Sequence, residues 1–138
     1  MQDQPTATQL LEAIADFLLK EVLPIVQEDE ALAYKTLVSW NMLGVVGREI
    51  RQGRLLLEQE KDRLAVFFPA QSGPTGSQPD QMPGPADDLE KQVQRYNELL
   101  AARIRSQGLS IQDRAVWDAV KESVRERIAV TNPRFALD

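Results

Sequence analysis

Apolar residues recur at three- and four-residue spacings through most of this chain, and the recurrence stops at a few definite points. Leu10, Leu11, Ile14, Phe17, Leu18 and Val22 form the first stripe. It predicts an amphipathic helix opening at Thr6, where Thr6 and Gln9 fit a capping box. Pro24 lacks an amide hydrogen and its ring crowds the preceding turn, so the helix ends or kinks there. Ile25 and Val26 carry the stripe onward, which suits a kink as well as a stop. The stretch Glu30 to Gln52 predicts a central helix, capped by Asp29 and with Glu28, Asp29 and Glu30 at its positive end. Its apolar residues, from Ala31 to Val46, do not keep to one stripe, so it is expected to be covered on most sides. Gly53 is expected in a left-handed cap, with a third helix from about Arg54 to Phe68. One long bent helix through Gly53 is the alternative.

From Pro69 to Ala86 the periodicity disappears, and the segment holds five of the eight prolines and three of the seven glycines. It reads as a flexible loop with too little apolar surface to offset the entropy of ordering. A fourth helix is predicted to open at Asp87 with Glu90, to run along Leu89, Val93, Tyr96, Leu100 and Ile104, and to end at Gly108. A fifth opens at Ser110 or Gln112, with Val116, Trp117, Val120, Val124 and Ile128 expected on its buried face. Thr131, Asn132 and Pro133 stop it, and Phe135 is expected to fold back onto the helices. The expected fold is all-α: an up-and-down helical bundle of about five helices forming a single domain over residues 1–138. Its one long connection is the Pro/Gly-rich loop, residues 69–86, between helices three and four.

Composition narrows the chemistry more than it identifies it. The chain has 138 residues, a net charge of −5, no cysteine and no histidine. Thiolate catalysis, disulfides, zinc–thiolate sites, histidine general bases and histidine metal ligands are all excluded. The acidic balance argues against nucleic acid and anionic membrane surfaces as partners. No apolar run approaches the ~18 residues of a membrane span, and the opening MQDQPTATQ lacks a basic, apolar leader pattern, so the expected address is the cytoplasm. No phosphate-binding glycine loop is present: RQGR and SGPTGS lack the lysine and the strand-to-helix setting. The acidic run Glu28–Glu30 reads as a solvated helix start, and no cofactor or metal is expected.

The candidate site residues are polar groups set among apolar ones. Asn41 lies between Trp40 and Met42, so it is expected to be buried, with a hydrogen-bonding partner on another helix. Arg48 falls on the face of Asn41 seven residues on, and is expected to join the same network or to meet a carboxylate from helix four or five. Glu49 points about 100° away from Arg48. Trp40, Gly44, Gly47 and Arg51 share another face, where two glycines predict close approach of a neighbouring backbone. Asn97 flanks the stripe of the fourth helix, and Arg103 lies on it. Asn41, Arg48, Glu49, Asn97 and Arg103 are therefore the candidate binding residues. Arg48, Glu49 and Arg103 are of the type that small helical mutases use to stabilise charge in a pericyclic transition state.

Four segments carry a family resemblance: PTATQLLEAIADFLLKEVLP, NMLGVVGREI, RYNELLAARIRSQG and RIAVTNPRF. Together they resemble an uncharacterised bacterial family, classed as a domain of unknown function. Its members are often encoded beside, or fused to, aminoglycoside-phosphotransferase-like kinases and acyl-CoA dehydrogenases. Against that family the Pro/Gly loop looks like an insertion, and the pattern is intact at Asn41, Arg48, Glu49, Asn97, Asn132 and Arg134. The resemblance implies association with such enzymes and supplies no catalytic residue. Two functions follow as expectations. One is a non-enzymatic accessory or interaction module, for which a homo-oligomer is compatible. The other is a small-molecule-binding bundle or small Arg/Glu-based enzyme using the Asn41/Arg48 face.

Overall fold

Thr6 opens the first helix as its sequence dictates. Its Oγ1 accepts from the Gln9 N–H at 3.3 Å, and its own N–H donates to Gln9 Oε1 at 2.8 Å. In the computed structural model, which describes residues 4–69 and 88–135, this helix is α1 (Ala7–Phe17). It does not stop at Pro24. A π-helical turn, Leu18–Val22, intervenes, with the Leu23 N–H reaching back to the Leu18 carbonyl, and α2 (Leu23–Val26) follows. The wider turn places Pro24 in the first turn of α2, where its missing N–H has no helical bond to lose.

Asp29 caps α3 (Glu30–Arg48) by accepting the Leu32 N–H at 3.0 Å. Gly53 does not adopt the expected left-handed cap. Helical backbone continues through a second π-helical turn, Glu49–Gly53, into α4 (Arg54–Ala65), so the chain runs on as helix through Gly53 instead of stopping there. A Cβ on Gly53 would run into the Glu49 carboxylate, and this packing of a side chain over the turn takes the place of a cap.

α5 (Leu89–Gln107) follows Asp88, and its expected capping residue Asp87 lies outside the described residues, as does nearly all of the Pro/Gly segment. Gly108 ends α5 at φ +61°, and the Leu109 N–H bonds the Ile104 carbonyl at 3.1 Å. α6 (Arg114–Thr131) starts later than expected. Asp113 takes the capping place, its carboxylate accepting the Ser110 N–H at 3.4 Å and its carbonyl the Trp117 N–H at 2.9 Å. All regular structure among the described residues is helical.

Packing divides these helices into two compact units: one runs to Arg54 and takes in Ala129–Phe135, and the other runs from Leu55 to Ile128. In the first, α1 and α2 pack on α3. In the second, Leu64, Leu100 and Val116 form the buried core under Phe67, Phe68, Tyr96, Ile104 and Leu109. The rings of Phe68 and Tyr96 stack there, with centroids 6.0 Å apart.

Burial differs from expectation at three places: α3, α6 and Phe135. α3 is not covered all round. Thr36 and Gly47 are buried, with Trp40 and Leu43 partly so, on one face. Tyr34, Leu37, Val38, Asn41 and Met42 are exposed on the opposite face, beside half-buried Val45. The apolar density of the sequence thus represents two faces rather than complete enclosure. On α6 the buried line is Val116, Ala119, Ser123 and Val130, while Trp117, Val120 and Val124 stay 37–45% exposed. Phe135 is 58% exposed instead of docked.

Candidate functional site

In the second unit the polar residues fasten helices together. Glu60 sits on the same face of α4 as Leu57 and Leu64, and is only 4% exposed. Its Oε1 accepts from Asn97 Nδ2 on α5 and from Arg127 Nη2 on α6, both at 3.0 Å. Asn97 also donates to the Val93 carbonyl, one turn back on its own helix. Beside this, Arg63 grips Glu126 through both terminal nitrogens, at 3.1 and 2.5 Å, and reaches Ser123 Oγ at 3.4 Å. Arg103 donates from Nη1 to the Phe67 carbonyl at 2.9 Å and from Nε to Gln107 at 3.1 Å. Buried polar groups need such partners, and here they come from α4, α5 and α6 together. Glu60 was missed because Glu58–Arg63 is polar throughout; its spacing to Leu57 and Leu64 is the signal that it faces inward.

In the first unit Arg48 donates from Nε to the Val130 carbonyl of α6 at 2.6 Å. The expected carboxylate is replaced by a neutral acceptor near the end of a helix, where free carbonyls favour a cation. Its Nη2 is buried and has no partner among the described residues. The Arg134 guanidinium lies 5.8 Å from the centre of the Trp40 ring. Arg51 pairs with Glu12 of α1 at 2.5 Å.

The glycines of α3 seat these arginines rather than a neighbouring backbone. A Cβ on Gly44 would lie 3.2 Å from Arg48 Nη1, and one on Gly47 would lie 3.7 Å from Arg51 Nη2. Glycine inside a helix costs about 1 kcal/mol relative to alanine, so the two positions should respond differently. Gly47→Ala keeps an ordinary contact and is expected to raise stability by roughly 0.5–1 kcal/mol. Gly44→Ala presses on an arginine already held by Val130, so its gain should be cancelled. Thermal melts of both variants beside the parent check the contrast.

The five candidate residues are divided between the two units. Asn41, Arg48 and Glu49 belong to the first unit, and Asn97 and Arg103 to the second. No hydrogen bond or ion pair joins any two of them among the described residues. Asn41 is exposed, not buried, and has no hydrogen-bonding partner among the described residues. The apolar neighbours that suggested its burial belong to the open face of α3. Among the described residues no three Asp or Glu side chains group as they would to hold a metal ion, and no helix is long and apolar enough to cross a membrane.

Fold and polar contacts together define an all-helical protein whose arginines and carboxylates hold its helices in place. The chain belongs to a family of unknown function: the family described as Domain of unknown function (DUF6285) matches residues 26–135. The match takes in α3, α4, α5 and α6 and leaves α1 outside it. No curated protein and no solved structure matches the chain.

Proposed function

We propose that residues 1–138 act as a non-enzymatic accessory or interaction module, partnered with a phosphotransferase-like kinase or an acyl-CoA dehydrogenase. The partner class rests on the family resemblance. The module reading is supported by one observation: large apolar side chains are exposed in rows, Trp117, Val120 and Val124 on α6 among them. Asn97 and Arg103, by contrast, are engaged in contacts between helices. Rows of exposed apolar side chains are characteristic of surfaces that bind other proteins. Coexpression with each enzyme in turn tests the reading. The chain should co-elute with one of them, and Trp117→Glu should abolish co-elution while leaving the far-UV circular dichroism unchanged. Elution of both enzymes free of the chain would overturn it.

A second reading keeps the Asn41/Arg48 face as a small-molecule site. It is favoured by the buried Arg48 Nη2 donor, which has no partner among the described residues. Binding there would leave Asn97 and Arg103 uninvolved, so a ligand response abolished by Arg48→Met and untouched by Arg103→Met separates it from the first reading.

A further inference from the structure

The open face of α3 has an order that a general hydrophobic patch lacks. Tyr34, Leu37, Val38, Asn41, Met42 and Val45 follow the i, i+3, i+4, i+7, i+8, i+11 spacing of a helix-packing surface. The set is symmetric about a point between Ser39 and Trp40. Turned end for end, it places Tyr34 opposite Val45, Leu37 opposite Met42, and Val38 opposite Asn41. We propose that two copies of this chain pair through this face, with their α3 helices antiparallel across a two-fold axis.

Three observations select a second copy as the occupant. Asn41 is the one amide in an otherwise apolar stripe, with Tyr34 carrying the only other polar atom of the six. Against an apolar partner its amide would be buried without a bond, whereas near a two-fold axis each Asn41 has the other copy's Asn41 to bond. At ~1.5 Å rise per residue the two lie only about 4–5 Å apart along the axis. Charge then fixes the direction. Glu28, Asp29 and Glu30 stand at the start of α3, and Arg48, Arg51 and Arg54 at or just beyond its end, where the acids are Glu49 and Glu12, the partner of Arg51. Antiparallel pairing sets the acidic end of one copy against the basic end of the other and opposes the two helix dipoles. Parallel pairing would stack like charges at both ends. Finally, the exposure is real at the positions that matter, with Tyr34 at 68% and Met42 at 60%.

The size of the face sets the strength. A helix face about 28 Å long buries on the order of 500 Å² per copy, at the low end of specific interfaces, which implies association in the micromolar range. This inference does not depend on an enzyme partner, because it is read on the purified chain alone.

Sedimentation velocity of the full chain, from about 1 to 500 µM, should show the mass rising from 15.5 kDa toward twice that value. Met42→Glu should weaken the association at least roughly tenfold, with helicity and melting unchanged. Association should fall as salt rises, since the ends attract. The direction is read by crosslinking, which the absence of native cysteine makes clean. Asn41→Cys should crosslink readily to its own copy. Tyr34→Cys should not, its two positions being about 16 Å apart along the axis, but it should crosslink with Val45→Cys. A mass of 15.5 kDa at every concentration would overturn the proposal and leave the face to a different protein. Self-crosslinking of Tyr34→Cys as fast as that of Asn41→Cys would overturn the antiparallel arrangement.

Discussion

Arg63→Met should lower stability by about 3 kcal/mol, making it one of the two most damaging single substitutions expected here. The reason is what it leaves behind. The Glu126 side chain is 13% exposed and receives two hydrogen bonds from Arg63. With the arginine gone, a largely desolvated carboxylate is left without its charge partner, and Ser123, itself buried, loses a donor. For a unit of this size such a loss corresponds to roughly 10–20 °C in melting temperature. Adding Glu126→Leu should recover most of it, because replacing a buried pair by apolar groups of similar volume is often neutral. Thermal melts of the single and double variants check both statements. A loss below about 1 kcal/mol for Arg63→Met would mean that solvent already supports Glu126.

Leu64→Ala should cost a similar amount, about 3 kcal/mol, by a different route. Leu64 is 1% exposed and is the largest fully buried side chain among the described residues. It stands between Leu100 of α5 and Val116 of α6, so its removal opens a cavity that three helices must collapse to fill. Leu64→Met, which nearly conserves volume, should cost less than about 1.5 kcal/mol. Urea titration should show the midpoint of Leu64→Ala falling with an unchanged slope, since the surface exposed on unfolding is nearly the same. An equal loss for the two variants would place Leu64 at a site governed by shape rather than by volume.

How far these features can be read from the sequence depends on whether one physical rule acts alone. The start at Thr6, the cap at Asp29 and the end at Gly108 were legible, because each follows from local hydrogen bonding or backbone freedom. Gly53 was not. Its freedom to turn left-handed suggested a stop, but the helix uses the missing side chain to admit Glu49. On α6 the larger apolar residues Trp117, Val120 and Val124 drew the expected core to themselves. The buried line runs instead through Ala119 and Ser123, and Ser123 is met by Arg63, a residue 60 positions away. The sequence sets Asn97 beside the stripe of the fourth helix and Arg103 on it, but their partners, Glu60 and the Phe67 carbonyl, cannot be paired without the fold. The Asn41 expectation failed because apolar density along one helix does not say how many of its faces are covered.

The placement of the two tryptophans has a practical consequence. Trp40 belongs to the first unit, with the Arg134 guanidinium at its ring, and Trp117 belongs to the second, on the exposed side of α6. The chain contains no others. Each unit therefore carries its own intrinsic fluorophore, and the two differ in polarity and in their nearest charged group. Variants retaining one or the other follow a single unit through a denaturation curve without any added label. Coincident curves would mark the whole chain as one cooperative folding unit, and separated curves would measure the stability of each part.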